Sequence, residues 1–73
     1  MYEDRRVQRR VRHRLARWRL GWVRAEVEAG VVYLEGVVAS AAEKHQLEQR
    51  LRQLPGVRQV INCLALEHVA AHP

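Results

Sequence analysis

Residues 23–38 read VRAEVEAGVVYLEGVV, and the rest of the chain is organised around them. Val23, Ala25 and Val27 alternate with Arg24, Glu26 and Glu28; beyond Gly30, Val32 and Leu34 alternate with Tyr33 and Glu35. Two period-two runs joined by a glycine-bearing turn make a β-hairpin with one apolar face, which needs a cover. A two-residue type I′ turn at the tip would force Ala29 to positive φ, at about 1–2 kcal/mol for a residue with a Cβ. The expected tip is therefore a three-residue loop, with Ala29 right-handed and Gly30 left-handed as a G1 bulge. Gly36, inside the second strand, marks a close approach, expected here from a helix crossing over it.

The flanking sequence supplies two covers. Asp4 is placed to cap a helix running to about Trp18, and Val7, Val11, Leu15 and Trp18 recur at helical spacing within one arc. Arg14 sits at the edge of that arc, where its stem can cover the seam; the other arginines fall outside it. Gly21 is the expected stop. Ser40-Ala41-Ala42-Glu43 is a capping box in which Ser40 and Glu43 satisfy each other's backbone amides. It opens a second helix with Leu47, Leu51 and Leu54 inward, ended by Pro55-Gly56. Residues 57–66 read as a third strand, with Val60, Leu64 and Leu66 of one parity and Ile61, Cys63 and Ala65 of the other. The order αββαβ predicts an α+β two-layer sandwich, a three-stranded sheet with two helices on one face, as a single domain over 1–67 with a flexible tail at 68–73. The pairing of the last strand is not readable.

Seventy-three residues bury only roughly 60% of the surface that the unfolded chain exposes, so the core is thin. A lone Cys63 excludes an internal disulfide and favours a reducing compartment. Met1 leads directly into YEDRRVQRR, without a signal-like or membrane-spanning apolar run, so the expectation is a cytoplasmic protein, peripheral at most to the inner membrane face. The net charge of +5 is unevenly placed. Residues 1–24 hold nine arginines against Glu3 and Asp4, a local +7, and the remainder holds four basic residues against six glutamates, −2. Such a field draws polyanions or anionic membrane surfaces.

The chain resembles the BON domain, a small bacterial module named for osmotically induced and nodulation proteins. The likeness rests on Asp4, Val7, Val11 and Leu15; on Val27, Gly30, Val32, Leu34, Gly36 and Val38; and on Pro55-Gly56-Val57, Val60, Asn62 and Leu64. It implies the αββαβ fold and a non-catalytic binding role, usually attachment to phospholipid membranes, with no cofactor. This sequence departs from the pattern in its arginine-rich first helix, in the alanine before Gly30, and in holding one copy where the family often occurs in tandem or in exported proteins.

A charged helix exterior is ordinarily a solvated face, but eight arginines without a carboxylate between Arg5 and Arg19 are more one-sided than solubility requires. Arg5, Arg6, Arg9, Arg10, Arg12, Arg17 and Arg19 are accordingly the expected contacts for anionic phospholipid or a membrane-associated partner. Docking would be electrostatic, because the apolar stripe is needed by the sheet. Non-specific nucleic-acid binding by the same helix is the alternative. Both tryptophans read as structural, and only Trp22 and Tyr33 offer surfaces for base stacking. A third reading is a protein–protein or homodimer interface on the outer sheet face, at Val31, Tyr33, Val37, Ile61 and Cys63. Cys63, His68 and His72 fall short of a closed zinc site, which needs a fourth ligand. The only Ser and the only Asp are assigned to caps and threonine is absent, so no catalytic, metal or cofactor residue is named.

Overall fold

The computed structural model describes residues 4–18 and 22–67. In chain order it contains α1 (Asp4–Arg17), β1 (Val23–Glu28), β2 (Val31–Val38), α2 (Ala41–Arg52) and β3 (Gln59–Leu66). The sheet order is β1-β2-β3, with β2 central, antiparallel to β1 and parallel to β3. This is the expected α+β sandwich, and it settles the pairing of the last strand: α2 is the crossover that a parallel β2–β3 pair requires. Arg19, Gly21 and the tail at 68–73, with His68 and His72, lie outside the described residues.

Both helices cover the same sheet face. Val7, Val11 and Leu15 of α1, Leu47 and Leu51 of α2, and Leu54 beyond it meet Val23, Ala25, Val32, Leu34, Val38, Val60 and Leu64 in one cluster, with Trp18, Val27 and Val57 packed at its edge. α1 lies on β1, and α2 on β3 and β2. No polar side chain is fully buried among the described residues, so the side-chain packing of the interior is apolar throughout.

Three local expectations are corrected. The hairpin tip is a two-residue turn, because Glu28 pairs with Val31, and Ala29 does take positive φ, 50°, ahead of Gly30 at 79°. The compensation comes from α1. Asp4 is the first residue of the helix and not its cap, and its two carboxylate oxygens accept the Ala29 N–H at 3.0 Å and the Gly30 N–H at 3.2 Å. From the other side the Arg58 N–H donates to the Gly30 carbonyl at 2.9 Å. At Gly36 the close neighbour is backbone, not a helix: a Cβ there would collide with the Trp22 carbonyl oxygen, at a φ of 139°. The capping box is partly as expected. Ser40 Oγ accepts the Glu43 N–H at 3.1 Å, but the Glu43 carboxylate accepts from Ala39, one residue before the cap, at 3.2 Å. After α2, the Val57 N–H bonds to the Leu54 carbonyl across Pro55-Gly56, with Gly56 at φ 91°, the pattern of a type II turn.

Candidate functional site on the arginine helix

With Val7, Val11 and Leu15 facing inward, helical geometry leaves Arg14 at the border of the apolar stripe and divides the other arginines of α1 into two rows. Arg5, Arg9 and Arg12 stand at i, i+4 and i+7, on the flank that overhangs β1; Arg6, Arg10 and Arg17 stand on the flank toward α2. Arg5, Arg9, Arg12 and Arg17 are exposed. Arg10 is half-buried, and its guanidinium donates to the Pro55 carbonyl at 2.6 Å, so this arginine fastens the loop after α2 to the helix. Arg6 is exposed and also engaged within the molecule. The row of seven expected anion contacts thus separates into exposed members, two with intramolecular duties, and Arg19 outside the described residues.

Two shallow depressions follow the rows. One, of ≈ 460 Å³, runs between α1 and β1 and is lined by Asp4, Arg5, Gln8, Arg9, Arg12, Glu26 and Val27. The other, of ≈ 400 Å³, lies among Arg6, Arg9, Arg10 and His13. Both present guanidinium groups to solvent, an arrangement suited to phosphate and carboxylate ligands.

Gln8, Arg50 and Asn62 were not legible as site or anchor residues. The Gln8 Nε2 donates to the Ala25 carbonyl at 2.5 Å and its Oε1 accepts the Val27 N–H at 2.7 Å. These are backbone groups of an edge strand, turned away from β2. The available signal was that Asp4 and Gln8 fall at i and i+4 on one flank of the apolar stripe, where polar side chains reach the border of the sheet. Asn62 performs the matching task at the far edge. It accepts from the Leu64 N–H at 3.2 Å and donates to the Lys44 carbonyl at 3.1 Å and to Glu48 at 3.2 Å, tying β3 to α2. The Arg50 guanidinium lies 5.2 Å from the centroid of Trp18, closing the seam between the helices.

The outer sheet face carries Tyr33 and Val37, 44% and 43% exposed, with exposed Cys63 and half-buried Ile61 beside them. Val31, expected to belong to this patch, is buried, at the turn end of β2 between its register partners Glu28 and Gln59. Trp22, read as structural, is instead 70% exposed. Among the described residues there is no group of three His, Cys, Asp or Glu side chains able to hold a metal ion, and no helix long and apolar enough to cross a membrane.

Known proteins resemble the chain in fold and in sequence pattern. The C-terminal domain of CdsD, a structural protein of the type III secretion system of Chlamydia trachomatis, superposes with a TM-score of 0.76 at 22% identity, covering 86% of this chain and 33% of that one. A second CdsD structure gives a TM-score of 0.78 at 22% identity, with coverages of 86% and 31%. This chain therefore spans about a third of either, and the likeness is one of fold. No curated protein matches it significantly. The model of the BON domain matches residues 3–67, nearly the whole chain, and places it: the chain belongs to the BON domain family, a family of small binding modules.

Proposed function

We propose that this BON domain attaches to anionic phospholipid surfaces through the exterior of α1. The observation that carries the reading is the division of labour on that helix: Val7, Val11 and Leu15 are consumed by the core, while Arg5, Arg9, Arg12 and Arg17 are all exposed. A helix so arranged cannot push an apolar face into lipid and must bind by charge. At about 1 kcal/mol per basic residue near an anionic leaflet, four arginines supply ~4 kcal/mol, roughly millimolar attachment that several copies or a second contact would strengthen.

Single-stranded nucleic acid is less well served by the same geometry. Exposed aromatic rings would be needed beside the arginines for stacking on single strands. Tyr33, however, lies on the outer sheet face, away from α1, and Trp22, just before β1, shares a depression with Trp18, Val37 and Val38 and not with the exposed arginines of α1.

The test is co-sedimentation with vesicles of phosphatidylglycerol and of phosphatidylcholine, with and without duplex DNA as competitor. Binding to the first vesicles only, abolished by the triple substitution Arg9→Glu, Arg12→Glu and Arg17→Glu, is the expected result. Equal sedimentation with both vesicle types would overturn the reading. So would DNA that strips the protein from phosphatidylglycerol at equal phosphate concentration, which would favour the nucleic-acid alternative.

A further inference from the structure

We infer that the free edge of β1, alongside α1, is a strand-addition site for an extended acidic segment of a partner protein, and that the Gln8 side chain holds the place of the N–H and C=O of one residue of that segment. β1 is an edge strand, so its outward N–H and C=O groups form a row open to another chain. Gln8 meets two of them, donating to the Ala25 carbonyl and accepting from the Val27 N–H, at 2.5 and 2.7 Å. A primary carboxamide offers one acceptor and one donor side by side, the same pair that an added strand would present there.

The surroundings specify what would replace it. The ≈ 460 Å³ groove between α1 and β1 lies alongside this edge, and its helical wall carries Arg5, Arg9 and Arg12. Their spacing along the helix axis is about 6 and 4.5 Å, against ~6.8 Å between same-side residues of a strand. Acidic residues at alternate positions, pointing toward α1, would each reach a guanidinium. Residues of the opposite parity would point to the outer sheet face, beside Arg24, Glu26 and Glu28, where neutral or basic side chains fit. Of the two carboxylates lining the groove, Asp4 is already held by the turn amides, and Glu26 belongs to that outer side.

The β3 edge contrasts with this one. Asn62 covers the Leu64 N–H with its own oxygen, and its nitrogen is held by both Lys44 and Glu48, so that side chain is locked into the helix–sheet junction. Gln8 bonds only to the edge that it covers, and a rotation about its side-chain bonds would open it. The same arginines serve the proposed lipid surface, but the strand site stands on the Gln8 geometry and does not depend on lipid attachment.

The probe is a labelled peptide of repeating Glu-Thr-Glu-Val, followed by fluorescence anisotropy and by amide correlation NMR. Its controls are the Lys-for-Glu version and a version of unchanged charge interrupted by prolines. Expected are binding of the acidic peptide with shifts of the Ala25 and Val27 amides, loss of about tenfold or more on proline interruption, and about tenfold tighter binding by Gln8→Ala, in which the edge no longer closes on itself. Equal binding of the interrupted peptide would show polyanion attraction alone and overturn the proposal. Association of Gln8→Ala with itself, without a gain for peptide, would overturn it in favour of a second copy at this edge. Should Gln8→Ala fail to fold, the amide shifts in the unsubstituted protein decide: perturbation of Ala25 and Val27 supports strand addition, and their silence refutes it.

Discussion

Ala29 holds a conformation that its own side chain disfavours, and Asp4 is the reason that it can. A non-glycine residue at positive φ costs about 1–2 kcal/mol, which two hydrogen bonds from adjacent turn amides to one carboxylate offset. Asp4→Ala should lower stability by about 1–2 kcal/mol, and Asp4→Asn by roughly half as much because one acceptor remains; the midpoint of urea unfolding at unchanged m-value reads both. Ala29→Gly should raise stability by ~0.5–1 kcal/mol, since glycine removes the left-handed penalty and returns part of it as unfolded-state entropy. A neutral or destabilising Ala29→Gly would mean that the turn is not strained. The same pair shows why the turn type was illegible. Residues 28–30 alone favour the longer loop, and the partner that reverses the preference lies 25 positions away.

Among the elements, the ones with strong internal periodicity were legible and the contacts between them were not. The stripe Val7, Val11 and Leu15, the alternation through β1 and β2, and the Ser40 cap are each encoded within a few residues, and each appears in the structure. The parallel pairing of β3, the latch of Arg10 on Pro55 and the carboxamide bonds of Gln8 and Asn62 depend on distant chain positions and leave no periodic trace. Gly36 falls between the two cases: the glycine announced a close approach, but only the fold shows that the neighbour is the Trp22 carbonyl at the start of β1. Backbone on both sides cannot give way as a flexible side chain can. Gly36→Ala should therefore cost about 2–3 kcal/mol or more and loosen the β1–β2 ladder at the Val23 pair, readable by amide hydrogen exchange at that end of the hairpin. Exchange protection unchanged there would show that the ladder absorbs the Cβ.

Across the whole molecule, charge is sorted by layer. Arginines dominate the helical side, and the exposed polar residues of the opposite sheet face include Glu26, Glu28 and Glu35 against Arg24. A molecule of this kind turns one side toward an anionic surface and keeps the other away from it, so attachment fixes orientation as well as location. It also makes attachment sensitive to salt: vesicle binding should fall steeply as the Debye length drops from ~10 Å toward ~3 Å, whereas a strand held on β1 by backbone bonds should retain more of its affinity. The seven arginines expected as a single contact patch were legible as a basic face, but its division into an exposed part and fasteners such as Arg10 required the position of Pro55.

The Asp4 bonds to the hairpin tip have a further consequence, for how this family member can change its length. Hairpin tips are ordinarily where a chain accepts inserted residues. Here Glu28 and Val31 are paired, Asp4 closes on the tip from one side, and the backbone of Arg58 closes on Gly30 from the other. Three separate stretches of chain meet at two residues, so one added amino acid would break the bonds of Asp4 and of Arg58 to the tip together. A loop graft, tag or evolutionary insertion at this tip therefore costs these bonds, which an ordinary hairpin tip does not have to lose.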